Sequence, residues 1–213
     1  MSRQTSESFR LSALLSLSGG LQDAYTYNMR DGVFANAQTG NVVLMSQNFM
    51  QGSFVQGLHY MCPLLSFALG IFVAERIENR FKTIDKIHWR QIILIIEIIV
   101  LIIVGFMPAE MNMIANVIVS FSCAMQVQTF RKVHGYGYAS TMCIGNLRSG
   151  TESLSQYLRD KNKESLHKAL HFFGIILIFA IGAGLGGVLS GCLGIRTIWI
   201  SSAILLAATV MMW

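Results

Sequence analysis

An aspartate, Asp23, stands inside an apolar run, and a dozen residues later the chain reads Ala35-Asn36-Ala37-Gln38-Thr39-Gly40-Asn41. A carboxylate at membrane depth costs roughly 2.5–3.5 kcal/mol, so its presence there points to a task such as proton coupling or countercharge. Arg30 lies seven residues on, two helical turns along the same face, and offers a structural partner as the alternative. The amides of Asn36, Gln38 and Asn41 and the Thr39 hydroxyl could bind a polar solute, or they could cap a broken helix at Gly40. A second polar stretch contains Gly145, Asn146 and Arg148, with Glu152 one turn beyond Arg148. Those two can pair at i,i+4; otherwise Arg148 is free to meet an anion, with Asp23 nearby as countercharge. Tyr25 and Tyr27 would serve as gate or wall residues. A second intramembrane acid, Glu97, must face other helices, and functional carboxylate, interhelical glue and oligomer contact all remain open for it.

The elements that must position these groups are helices in a membrane. Of 213 residues 53% are hydrophobic and only 13% charged, and mean hydropathy is +0.52, against about 25% charge in soluble domains. Apolar runs of near-spanning length cover residues 11–29, 54–74, 91–107, 112–130, 172–193 and 195–213. Neither a cleavable signal peptide nor a paired-cysteine pattern is evident. If the segments 33–49 and 139–157 dip into the membrane and return, six spans place residues 3–10, 76–90, 131–132 and 159–168 on one side. All of the 16 basic residues except Arg30, Arg148 and Arg196 then lie in the cytoplasm. The expected location is the inner (plasma) membrane of a bacterium, multi-pass, with both termini cytoplasmic.

Order repeats: span, polar motif, two spans, then the same again. Gln22 and Gln126 match at an offset of 104, and Gly40-Asn41 matches Gly145-Asn146 at 105. Three spans per half is an odd number, so the second half enters from the opposite face. The expected fold is an all-α membrane protein of about six transmembrane helices in a 3+3 inverted repeat, with repeats at about 10–107 and 111–213. Each half carries a broken or re-entrant polar motif helix, since irregular backbone at that depth must be buried or line a cavity.

The stretches SGGLQDAYTY (18–27) and GVFANAQTGNVV (32–43) resemble the YoaK family of bacterial membrane proteins, a domain of unknown function. The resemblance runs over nearly the whole chain. It implies an integral inner-membrane protein treated as a transporter, and it names no substrate. The second motif departs from the family pattern, reading Ile144-Gly145-Asn146 where a Thr-Gly-Thr-like turn is expected.

Other patterns have plainer readings. His167 and His171 share a helix face but lack a third ligand, which makes them interfacial histidines. GAGLGG, within residues 182–187, follows no strand, so Gly182/Gly186 and Gly187/Gly191 read as helix-packing faces, with Gly19-Gly20 as another. No hydrolase, zinc-protease or P-loop motif is present, and the basic loops lack aromatic interleaving. The expected protein is therefore not an enzyme and holds no metal or cofactor. Its partners are the lipid bilayer and a small polar or anionic solute, bound near the midplane by Asp23, Tyr27, Asn36, Gln38, Thr39, Gly40, Asn41, Gly145, Asn146 and Arg148. Nucleic acid is excluded, and six spans argue for a homodimer on general grounds. The alternative is a structural or assembly protein whose motif groups are all satisfied internally.

Overall fold

The computed structural model describes residues 8–81, 89–133, 136–137 and 140–212. Eight α-helices fall within them: α1 Phe9–Met29, α2 Gln38–Met50, α3 Phe54–Phe81, α4 Trp89–Val104, α5 Asn112–Thr129, α6 Cys143–Asp160, α7 Lys163–Leu193 and α8 Ile198–Met211. A two-residue antiparallel ladder, β1 Lys132–Val133 with β2 Tyr136–Gly137, lies between α5 and α6. Lys82, Lys86, Arg3, His134 and Ala139 lie outside the described residues.

Local chemistry sets the helix ends. Ser8 caps α1 by accepting from the Leu11 N–H at 3.3 Å, and Asn162 caps α7 by accepting from the Glu164 N–H at 2.9 Å. Gly194, at φ 57°, ends α7 in a conformation that suits glycine. Helix α2 has 13 residues, about 20 Å of rise, well short of a hydrocarbon core about 30 Å thick. Two segments combine the length and hydropathy of a membrane span: Phe54–Phe81, and Lys163–Met211, which joins α7 and α8 through a 3-10 turn.

Polarity is distributed inside out. Helix α1 buries Ser12, Ser16, Ser18, Gln22, Asp23 and Thr26, while Leu65, Leu69 and Phe72 on α3 and Leu177, Ile181 and Val188 on α7 face outward. Where the solvent is lipid, apolar side chains lose nothing by facing it and polar groups must find partners inside.

The halves are interlaced. Helix α1 packs on α7 and α8, and α5 packs on α3 and α4; α2 lies on α3, α6 on α7, and α4 on α8. The α1–α7 contact brings backbones together. A Cβ on Gly20 would strike the Phe179 carbonyl oxygen, and one on Gly182 would strike that of Leu17. A Cβ on Gly186 would come within 2.8 Å of the Leu21 carbonyl oxygen. A Cβ on Gly19 would instead strike the Thr141 side chain ahead of α6, while Gly20, Gly182 and Gly186 act as the expected packing face. Gly191 does not, since no described atom lies within 4 Å of where its Cβ would stand, and Gly187 instead lines a cavity.

Candidate functional site

Helix α1 ends in a tight turn, with Asp31 at φ 63° and Gly32 at φ 74°, and the chain then runs back along α1 before α2 begins. The returning loop is fastened from both sides. On the α1 side, the Asp23 carboxylate accepts from the Asn36 N–H at 2.7 Å, and the Thr26 hydroxyl accepts from the Ala35 N–H at 3.2 Å. On the α2 side, Asn41 accepts from the Phe34 N–H at 3.1 Å and donates to the Phe34 carbonyl at 2.7 Å and to Gln38 Oε1 at 2.9 Å. Gln38 in turn donates to the Ala35 carbonyl at 2.8 Å. The ring of Phe34 lies on Gly40, 3.1 Å from where a Cβ would stand.

Asn41 and Gln38 therefore spend their amides on the loop itself, as in the capping reading of the motif. Asn36 differs. Its Nδ2 makes a 3.4 Å contact with the Gly19 carbonyl, and its Oδ1 is buried without a partner among the described residues.

A cavity of about 880 Å³ opens between α1, α3 and α7. Asp23 and Tyr27 of α1, Asn36, Gln38 and Thr39 of the first motif, and Thr141 to Gly145 of the second all line it. Leu64, Phe67 and Ile71 form the α3 wall, and Phe179 and Ala183 the α7 wall. Tyr27 stacks on Phe34 with ring centroids 4.8 Å apart. The Thr141 hydroxyl oxygen, like Asn36 Oδ1, is buried and unpartnered among the described residues.

Of the residues singled out by sequence, Asp23, Tyr27, Asn36, Gln38, Thr39 and Gly145 thus meet at one cavity. Gly40, Asn41, Asn146 and Arg148 are not part of its lining. Asn41 and Asn146 are both buried at the fourth position of their motif helices, while Arg148 and Glu152 are exposed.

Arg30 does not pair with Asp23. Its fully buried guanidinium donates to Tyr25 Oη at 2.8 Å, Asn112 Oδ1 at 2.8 Å, and the carbonyls of Val104 at 2.9 Å, Met107 at 2.9 Å and Pro108 at 3.3 Å. Those five acceptors match the five N–H donors of the group. Arg30 therefore caps the C-terminal end of α4 and ties it to α1 and α5, where a cation is also favoured by the helix dipole.

A second polar cluster, which inspection of single residues did not assemble, surrounds Glu97. Gln22 Nε2 lies 3.1 Å from Glu97 Oε1, 2.9 Å from Ser201 Oγ and 3.1 Å from Ser18 Oγ, so two protons serve three acceptors. The Cys123 thiol donates to Gln22 Oε1 at 2.6 Å. Gln126, in the amide orientation that suits its neighbours, donates to both Glu97 oxygens at 3.1 Å. The signal was the match of Gln22 with Gln126, since Glu97 and Ser201 are also 104 residues apart. His167 and His171 approach to 3.0 Å between their Nε2 atoms, and no cluster of three or more metal-ligating side chains occurs among the described residues.

The sequence profile of the family described as "protein of unknown function (DUF1275)" matches residues 11–211, and the chain belongs to that family. No curated protein and no solved structure matches the chain.

Proposed function

We propose, from a chain that belongs to this membrane-protein family, that the molecule is a transporter or facilitator of a small solute, bound in the cavity where the two motifs meet. The observation that carries this reading is the cavity itself, about 880 Å³ and lined by Asp23, Asn36 and Thr39 from one motif region and Thr141 to Gly145 from the other. Pockets of roughly 300–1,000 Å³ suit small organic ligands.

The proposed architecture is six spans with two re-entrant motif helices, the second half inverted relative to the first. Exchanging α1–α4 with α5–α8 turns each main packing contact into another that is also present: α1 on α7 into α5 on α3, and α2 on α3 into α6 on α7. Asn41 and Asn146 occupy equivalent places in that exchange, as do Gln22 and Gln126. Helix α2 is too short to cross the hydrocarbon alone, which supports re-entry. The solute leaves and enters as the two walls of the cavity, α3 and α7, shift relative to each other.

The anionic solute that Arg148 suggested loses its cation, because that side chain is exposed and away from the lining. A structural or assembly role would leave the motif oxygens satisfied internally; the oxygens of Asn36 and Thr141, without a partner among the described residues, weigh against it. We also propose that no reaction is catalysed and that the copies work in a bacterial inner membrane, as a dimer if the six spans need a partner.

The test is uptake by proteoliposomes of labelled metabolites, compared with Gly145→Trp. Among the described residues nothing lies within 4 Å of a Cβ at Gly145, so a large side chain can enter the cavity without displacing the fold. Uptake abolished in this variant supports the reading; full uptake in a correctly folded Gly145→Trp protein overturns it.

A further inference from the structure

Three side chains in the cavity wall carry buried acceptor oxygens. Asp23, Asn36 and Thr141 are 5%, 3% and 5% exposed, and all three line the cavity. The Asp23 carboxylate accepts the Asn36 N–H at 2.7 Å, and the Asn36 side-chain amide and the N–H groups of Ala37 and Ala35 also act on it; an ionised carboxylate has about four lone-pair sites. Asn36 Oδ1 and Thr141 Oγ1 have no partner among the described residues. A buried acceptor left unpaired costs about 1–3 kcal/mol, so a solute that brings donors recovers that energy on binding.

Asn28, Gln38 and Thr39 also line the cavity, and most of the remaining wall is apolar or aromatic. Leu64, Phe67 and Ile71 stand on one side and Phe179 and Ala183 on the other, and among the described residues no lysine, arginine or histidine lines the cavity. The first turns of α2 and α6 contribute partial positive charge, at most about half a unit each. In α2, the Gly40 N–H is turned back to the Ala37 carbonyl at 3.1 Å and the Gln38 N–H to that of Asn36 at 2.8 Å. In α6, the Asn146 N–H is turned to the Met142 carbonyl at 3.3 Å. An ionised Asp23 carries a full unit of negative charge, as much as the two helix ends together at their maximum.

We infer that the solute is an amphipathic primary amine, its ammonium group held by the side-chain oxygens of Asp23, Asn36 and Thr141 and its apolar body lying between α3 and α7. An ammonium carries three donors, and these three side chains offer it acceptor oxygens, those of Asn36 and Thr141 without a partner among the described residues. Phe67 and Phe179 also line the cavity, and an aromatic ring presented face-on attracts a cation more than a neutral or anionic solute. This inference rests on the cavity being a solute site and names the class of solute it takes.

The experiment measures binding to the purified full-length protein in detergent, by thermal shift and calorimetry, with three matched probes: phenethylamine, the corresponding alcohol and the corresponding carboxylate. The expected order is amine, then alcohol, then carboxylate. Asp23→Asn, which keeps an acceptor for the Asn36 N–H, weakens the amine at least tenfold and leaves the alcohol nearly unchanged. Thr141→Val, which leaves Asp23 untouched, weakens the amine several-fold, and Arg148→Gln changes nothing. Carboxylate binding as tight as the amine, no amine binding at millimolar concentration, or equal amine affinity in folded Asp23→Asn protein would each overturn the inference. Amine bound but never carried into proteoliposomes keeps this assignment and removes transport, whereas a carried carboxylate keeps transport and removes the amine.

Discussion

Two buried polar regions of this protein obey opposite rules. At the Arg30 junction, five donors meet five acceptors drawn from the ends of α1, α4 and α5 and from the turn between the last two. In the cavity, the oxygens of Asn36 and Thr141 are equally buried yet have no partner among the described residues. The first region is saturated and holds helices; the second is unsaturated among the described residues. Burial of polar groups in a membrane protein therefore says little about function until their partners are counted. Arg30 and Asp23 illustrate this within a single helix and its cap, for the more costly side chain to bury is the one whose contacts are all internal.

Substitutions can break this contrast, and the largest effect should fall on the saturated side. Arg30→Ala strands the Val104, Met107 and Pro108 carbonyls and is expected to cost about 3–5 kcal/mol, as for breaking other buried charged networks. Unfolding by denaturant in mixed micelles would measure it, and a near-neutral outcome would show that the junction does not hold the helices. Asn41→Ala should come next, at about 1–3 kcal/mol, because it leaves the Phe34 N–H and carbonyl unpaired inside the motif. The same measurement on Asn146→Ala asks whether the second motif is fastened with equal strength. The smallest change in stability is expected for Thr141→Val, within about 0.5 kcal/mol, since its oxygen has no partner among the described residues. If Thr141→Val unfolds the protein as Asn41→Ala does, the cavity is saturated after all.

Much of the scaffold could be read from the chain. The apolar runs 11–29, 54–74 and 112–130 correspond to α1, α3 and α5, because a helix surrounded by lipid shows itself in composition alone. Asp23 and Gly145 fall at one cavity although 122 residues separate them; their motifs could be paired because a polar motif follows an apolar run twice in the same order along the sequence. What stayed hidden depended on direction. The seven-residue spacing between Asp23 and Arg30 suggests a shared face, but α1 ends at Met29 and Arg30 turns toward α4 and α5 instead. Asn41 and Thr39 look alike as polar motif residues, and only the path of the Phe34 loop assigns one to fastening and the other to the cavity rim. Arg148 sits on a helix whose polar residues are mostly exposed, and nothing in its neighbours' identities reveals which way that helix is turned. The Gln22, Glu97, Gln126 and Ser201 cluster was encoded as two equal offsets, legible only once α4 and α8 are known to pack together.

The interlacing of α1 with α7 has a consequence for how the protein is made. Gly20 meets its backbone partner at Phe179, which leaves the ribosome some 159 residues later. At about 5–20 residues per second that delay is roughly 8–30 s, during which α1 waits with its glycine face uncovered. The nascent chain needs a guardian for that interval, either the insertion machinery or an early provisional contact with α3. Truncations that end before α7 should therefore be cleared by membrane proteases rather than accumulate as a stable half.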